Sequence, residues 1–326
     1  MVKSGPGQEP DRAGNDVTIY NLFGYDYTPS DNKAAFGEFV ATTLFVYVGC
    51  GVAVSTQAFV AFGSGAVGLD NDFLLGVSMA FGFAIAVLAY SVAPISGGHI
   101  NPAVSFAFFI LKDLPVTHFI SYVLAQCAGA TLGAALVWGS FASPELVKDS
   151  SGDISPPFLV GSNFVHSEIP LGSAFLGEMM GTFLLVWTVL MTAVSVHSIA
   201  GNLAPIAIGW SVMLAHMLLI PITTCGINPA RSFGPHMISI MAGETVGIRG
   251  WWIFYTAPFC GAALAAMVCK YVFGVMQEEE QGTDEEKVAI VSGDYKNDLE
   301  SAPFEVAPKT ELSADAKLRL EAISTI

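Results

Sequence analysis

A few charged and hydrogen-bonding side chains interrupt the apolar runs of this chain. Glu38 lies within FGEFVATTLFVYV and Glu178 within LGEMMGTFLLVWT. His216 stands five residues after Ser211 in another apolar stretch, and Arg231 directly follows Asn228-Pro229-Ala230. A carboxylate in such a run either relays protons or takes hydrogen bonds from backbone that has no other partner. Ser211 and His216 raise the thought of a nucleophile and its base. However, five residues at helical pitch set the two side chains about 140° apart. No GxSxG-type elbow accompanies them. An arginine in apolar surroundings is costly unless it lines a wet cavity. This set therefore fits the passage of a small polar solute better than covalent turnover.

The elements that must position these residues follow from an internal echo. ISGGHINPAVSF (95–106) matches ITTCGINPARSF (222–233) at seven of twelve positions without a gap. Each copy holds Asn-Pro-Ala, at Asn101-Pro102-Ala103 and Asn228-Pro229-Ala230. Asn caps free backbone N–H groups and Pro fits the first helical turn, so each tripeptide starts a helix. The segments around Glu38 and Glu178 echo each other too. Gly37 and Ala41 match Gly177 and Gly181, a small-xxx-small spacing that brings helix backbones together in lipid. Gly129 and Gly133 repeat that spacing in a third run, for close packing within or between protomers.

Hydrophobic residues make up 53% of the chain and charged residues 13%, with a mean hydropathy of +0.58. Soluble domains average about 25% charged, so composition places this chain in a membrane. About 20 apolar residues cross a bilayer. Six runs are long enough: 34–60, 72–93, 115–139, 170–196, 203–221 and 250–275. The stretches 101–111 and 228–241 are too short to cross. Eleven helical residues reach about 16 Å, roughly half of the hydrocarbon core. Three spans per repeat is an odd number, so the second repeat is inverted and both tails share one side. Lys3, Arg12, Lys33, Lys112 and Lys270 fall on the side of the tails, against Lys148 and Arg249 opposite. That bias puts the tails in the cytoplasm.

Paired Asn-Pro-Ala motifs in a six-span chain resemble the aquaporin (major intrinsic protein) family over roughly residues 34–275. The resemblance implies an all-α membrane protein, a right-handed bundle of six tilted transmembrane helices plus two re-entrant half-helices in inverted repeats. Repeat one covers about 34–139 and repeat two about 170–275. It also implies a homotetramer with one pore per protomer, and a selectivity filter of Phe81, His216, Cys225 and Arg231. These residues are similar to the filter of water-selective members, with water as the permeant. Ser232 and the pair Phe254-Tyr255 point the same way. His236 departs from it, standing where such members carry a small residue and glycerol-type members a basic one. The alternative is a broader facilitator of hydrogen peroxide, glycerol, urea or ammonia.

Within that resemblance, Asn101 and Asn228 would offer side-chain N–H groups to passing water. Glu38, Glu178 and His99 are expected to support the two re-entrant loops. A cysteine at 225 predicts block by mercurials. No catalytic residue, cofactor, metal or nucleic-acid partner is implied. The five cysteines (Cys50, Cys127, Cys225, Cys260, Cys269) show no zinc-type spacing.

The ends differ from the middle. Residues 1–33 are polar and form a cytoplasmic N-terminal tail. Residues 276–326 carry thirteen acidic and five basic side chains, over half of the net charge of −15. That composition reads as a disordered acidic tail, also cytoplasmic. Serines and threonines in the tails, and His197 after the fourth span, are where a gate would be sought. The plasma membrane is the expected location.

Overall fold

The computed structural model describes residues 20–22, 25–27, 29–63, 71–141, 160–242 and 249–275. The acidic segment 276–326, most of residues 1–33, and the connection 142–159 with Pro156-Pro157 lie outside them. A two-stranded antiparallel hairpin, β1 (Tyr20–Leu22) and β2 (Tyr25–Tyr27), precedes the helices, with Tyr20 opposite Tyr27.

The first repeat consists of α1 (Pro29–Gly63), α2 (Asn71–Ser96), α3 (Pro102–Ile110) and α4 (Val116–Phe141). The second consists of α5 (Leu171–Val189), α6 (Ala204–Thr223), α7 (Pro229–Met241) and α8 (Ile253–Tyr271). Six of these eight helices are long and apolar enough to cross a membrane. The remaining two, α3 and α7, are the short elements that begin at the Asn-Pro-Ala motifs. Pro29 and Asp31 sit in the first turn of α1, where a missing N–H and a negative charge are both tolerated. Asp31 also accepts a hydrogen bond from His118 Nε2 at 2.8 Å, joining the starts of α1 and α4.

Packing repeats as the sequence does. Helix α1 lies against α2 and α4, as α5 lies against α6 and α8. Helix α3 packs on α8 of the other repeat, and α7 on α4. The pair α2·α6 joins the two halves directly. There Gly82 and Gly209 face each other so closely that a Cβ on Gly209 would stand 2.5 Å from the Gly82 carbonyl oxygen. Gly129 and Gly133 of α4 approach the α1 carbonyls of Phe39 and Thr43, so their small size serves packing within one protomer.

Several helix ends depart from the sequence reading: α1 begins at Pro29 rather than 34, and α8 spans Ile253–Tyr271 rather than 250–275. Helices α2 and α6 run past Pro94 and Pro221 to Ser96 and Thr223, two to three residues beyond the expected ends. Hydrogen bonds from both hydroxyls to buried carboxylates hold those last turns. Helix α5 stops at Val189 and continues as one wide π-type turn over Leu190–Val194, where Ser195 N donates to Leu190 O.

The burial pattern inverts that of a soluble protein. Leu124, Val87, Leu218 and Trp210 face outward. Glu38, Gln126, Ser105, Glu178, Thr182 and Ser232 are fully buried. A polar interior in an apolar shell is stable where the surroundings are hydrocarbon and every inner polar group finds a partner.

Candidate pore and its constriction

Each half-helix is preceded by a loop held by one carboxylate. Glu38 Oε1 accepts from Ser96 Oγ at 2.7 Å and His99 N at 2.9 Å. Its Oε2 accepts from Ile100 N at 2.6 Å and Gln126 Nε2 at 2.8 Å. Glu178 Oε1 accepts from Thr223 Oγ1 at 2.5 Å and Gly226 N at 2.8 Å, and its Oε2 from Ile227 N at 2.6 Å. Four of these donors, the N–H groups of His99, Ile100, Gly226 and Ile227, are backbone groups that helix geometry leaves over, in a region without bulk water. Ile100 and Ile227 adopt φ of 54° and 46°, a left-handed conformation costly for a β-branched residue, roughly 1–3 kcal/mol each. The charge-assisted bonds from these same two N–H groups offset that strain.

The left-handed turns aim two carbonyls at each other's motif. Asn101 Nδ2 donates to Ile227 O at 3.0 Å, and Asn228 Nδ2 donates to Ile100 O at 2.9 Å. The Asn101 side-chain oxygen caps Ala103 N at 2.8 Å. That of Asn228 caps Ala230 N at 3.0 Å and Arg231 N at 3.1 Å. Pro102 and Pro229 occupy the first turns of α3 and α7, and Ala103 and Ala230 are fully buried beside them. The N-termini of α3 and α7 therefore meet at one junction, cross-linked by the two asparagines. Sequence reasoning gave both amides to solute. One hydrogen of each is committed to a carbonyl, and the second remains.

A cavity of about 100 Å³ adjoins this junction, room for several waters. Both asparagines and His99 line it, among apolar residues such as Phe45, Val104 and Val212. His99 stacks on Phe108 with ring centroids 4.5 Å apart, and its Nδ1 pairs with Ser105 Oγ at 3.0 Å.

The four filter candidates are all buried. Phe81 from α2 stacks on His216 from α6 at 4.4 Å, and the Arg231 guanidinium carbon lies 4.8 Å from the centre of the Phe81 ring. Cys225 sits in the loop three residues before Asn228, fully buried, with φ of 58°. Arg231 Nη1 donates to Gly161 O at 2.8 Å. His216 Nδ1 lies 2.8 Å from the Val212 carbonyl, an acceptor only, so Nδ1 carries the proton and Nε2 is left as an acceptor. Ser211 Oγ instead donates to Ile208 O, so the Ser/His pair does not form.

Several residues that shape the site carried no obvious sequence signal. Gln126 bridges Glu38 and Ser105, donating to the latter at 3.1 Å. Asn163 accepts from Ser232 Oγ at 2.8 Å and donates to Thr224. Ser96 and Thr223 occupy matching positions of the two echoes, a signal that was present.

Comparison with known proteins agrees with this architecture. Residues 27–269 match the model of the family described as Major intrinsic protein. The chain is 36% identical to probable aquaporin PIP2-6 of Arabidopsis thaliana, covering 74% of this chain and 80% of that one. It is 38% identical to Aquaporin-1 of Homo sapiens, covering 78% and 87%. The X-ray structure of the aquaglyceroporin from Plasmodium falciparum superposes with a TM-score of 0.63 at 21% identity, covering 74% of this chain and 97% of that one, which speaks for the fold. With six membrane-length helices, paired half-helices and a family match over most of its length, this chain belongs to the major intrinsic protein family, the aquaporins.

Proposed function

We propose that this protein is a passive water channel, selective for water over larger solutes. The observation that carries the selectivity is the constriction itself. Two of its buried polar atoms, His216 Nε2 and Arg231 Nε, have no hydrogen-bond partner among the described residues. Buried polar groups are rarely left so, and the missing partner here is passing water. One atom accepts and the other donates, which suits a molecule that does both. Phe81, stacked on His216 and beneath Arg231, leaves an apolar wall where glycerol would need width. Cys225, buried three residues before Asn228, is taken as the fourth member of the filter. Glu38, Glu178 and His99 support the loops, and the facing helix N-termini at Asn101 and Asn228 repel cations and break the proton wire, as in aquaporin-type pores generally.

The channel domain is taken as about 34–275, between cytoplasmic tails 1–33 and 276–326. Protomers assemble as a homotetramer, one pore each, in the plasma membrane.

Stopped-flow light scattering on proteoliposomes tests this reading. The expected result is a fast water phase under a sucrose gradient, blocked by mercuric chloride, with no matching glycerol phase. Cys225→Ser should keep water flow and lose the block. Comparable glycerol flux in the unaltered protein would overturn selectivity and favour the broader facilitator.

A further inference from the structure

His236 is buried on α7, five residues beyond Arg231, and is not one of the four filter candidates. Its ring is nonetheless fully engaged. Nε2 lies 2.8 Å from the carbonyl oxygen of Asn163, and Nδ1 lies 2.9 Å from Tyr255 Oη on α8. A carbonyl only accepts, so Nε2 bears the proton and Nδ1 accepts from the tyrosine hydroxyl. The ring thereby joins α7, α8 and the strap 160–166.

That strap reaches the filter. Two residues before Asn163, the Gly161 carbonyl accepts from Arg231 Nη1 at 2.8 Å and from Cys50 Sγ at 3.7 Å. Gly161 has φ of 71°, and a Cβ there would stand 2.8 Å from that of Cys50, so the strap is pressed onto α1 as well. The Asn163 side chain meanwhile binds Ser232, next to Arg231, and Thr224, next to Cys225. Phe164 N also donates to Thr224 Oγ1. The main chain of Asn163 is thus fixed by His236, and its side chain by the two neighbours of the filter residues.

We propose that His236 is a positioning residue for selectivity: it clamps the strap whose Gly161 carbonyl holds the Arg231 guanidinium in place. This rests on the narrow filter read above. Without the clamp the Gly161 carbonyl gains freedom, and Arg231 loses the fixed acceptor that keeps it stretched across the opening. Water, which needs no fixed width, would still pass. Larger polar solutes would begin to leak.

The experiment compares full-length His236→Ala, His236→Phe and His236→Gln in proteoliposomes, with two readouts. The first is the ratio of glycerol to water permeability. The second is amide hydrogen exchange across residues 160–166. Phenylalanine keeps the ring volume without the donor, and glutamine keeps an N–H donor at similar reach. In the Ala and Phe variants both readouts should rise about tenfold, the factor corresponding to loss of one buried hydrogen bond. The Gln variant should stay near the unaltered protein. Unchanged readouts in the Phe variant would overturn the proposal, as would a Gln variant as impaired as Phe. Should the Ala variant fail to fold, the Phe and Gln pair decides alone. If the unaltered protein itself passes glycerol, the narrow filter fails, while hydrogen exchange still decides whether the clamp exists.

Discussion

Glu38 and Glu178 occupy equivalent places in the two repeats yet are held unequally. Glu38 has four donors, two of them backbone N–H groups, and Gln126 supplies a spare. Among the described residues Glu178 has three, again with two from the backbone, and no amide side chain helps it. Glu178→Gln turns one acceptor oxygen into an NH₂ group facing the Ile227 N–H or the Gly226 N–H. An orphaned buried donor costs about 1–3 kcal/mol, and the strained Ile227 turn loses its compensation. We expect a drop in thermal stability in detergent together with reduced water permeability, from a disordered second loop. A Gln variant with unaltered melting temperature would mean that the loop holds itself. At this scale the repeat made half of the site legible. Asn101, Asn228, Glu38 and Glu178 announce themselves because each has a counterpart at the same place in the other echo. Gln126 and Asn163 lie outside both pairs of echoing segments, and pattern alone cannot pick them out.

The six spans were legible because bilayer thickness sets one length for all of them, and mean hydropathy reports it directly. Their ends were less so. A proline ordinarily argues for stopping a helix, but Pro94 and Pro221 sit two residues before hydroxyls that a buried carboxylate needs, and tertiary bonding wins. Which glycines mattered was legible for Gly129 and Gly133 and hidden for others. Gly37 belongs to a small-xxx-small pair, but a Cβ there meets only ordinary contacts, the nearest at 3.7 Å. Gly209 belongs to no such pair, yet it faces the Gly82 carbonyl across the α2·α6 crossing. That crossing also sets the spacing between Phe81 on α2 and His216 on α6. Gly209→Ala should therefore push the two helices apart, cost about 1–3 kcal/mol as overpacking does, and loosen the Phe81–His216 stack. Gly37→Ala should be neutral or slightly stabilising, since alanine is the better helix former by up to about 1 kcal/mol. Paired melting curves and glycerol fluxes check this. Equal behaviour of the two variants would show that the crossing yields.

For the whole molecule, inversion matters more than duplication. Because the second repeat runs opposite to the first, α3 and α7 meet N-terminus to N-terminus, and their dipoles add to about one positive charge at the junction. The echo in the sequence was enough to read this topology. The mutual grip was not readable, because each asparagine donates to a carbonyl in the other half, Ile227 O or Ile100 O. Asn228→Asp tests what the junction does. The substitution removes the donor to Ile100 O and places a negative charge between two positive helix ends, cancelling most of their field. Asn228→Ala removes the same donor and adds no charge. Both should lower water flow, since one of the two cross-links is lost in each. Only the aspartate variant should carry protons above the lipid background, measured as dissipation of a pH gradient across proteoliposomes. Its leak separates the two contributions: steric order at the junction, which both variants disturb, and the electrostatic barrier, which only the charge removes. If the aspartate variant leaks no faster than the alanine variant, the barrier to protons lies elsewhere, and Arg231 at the constriction becomes the group that supplies it.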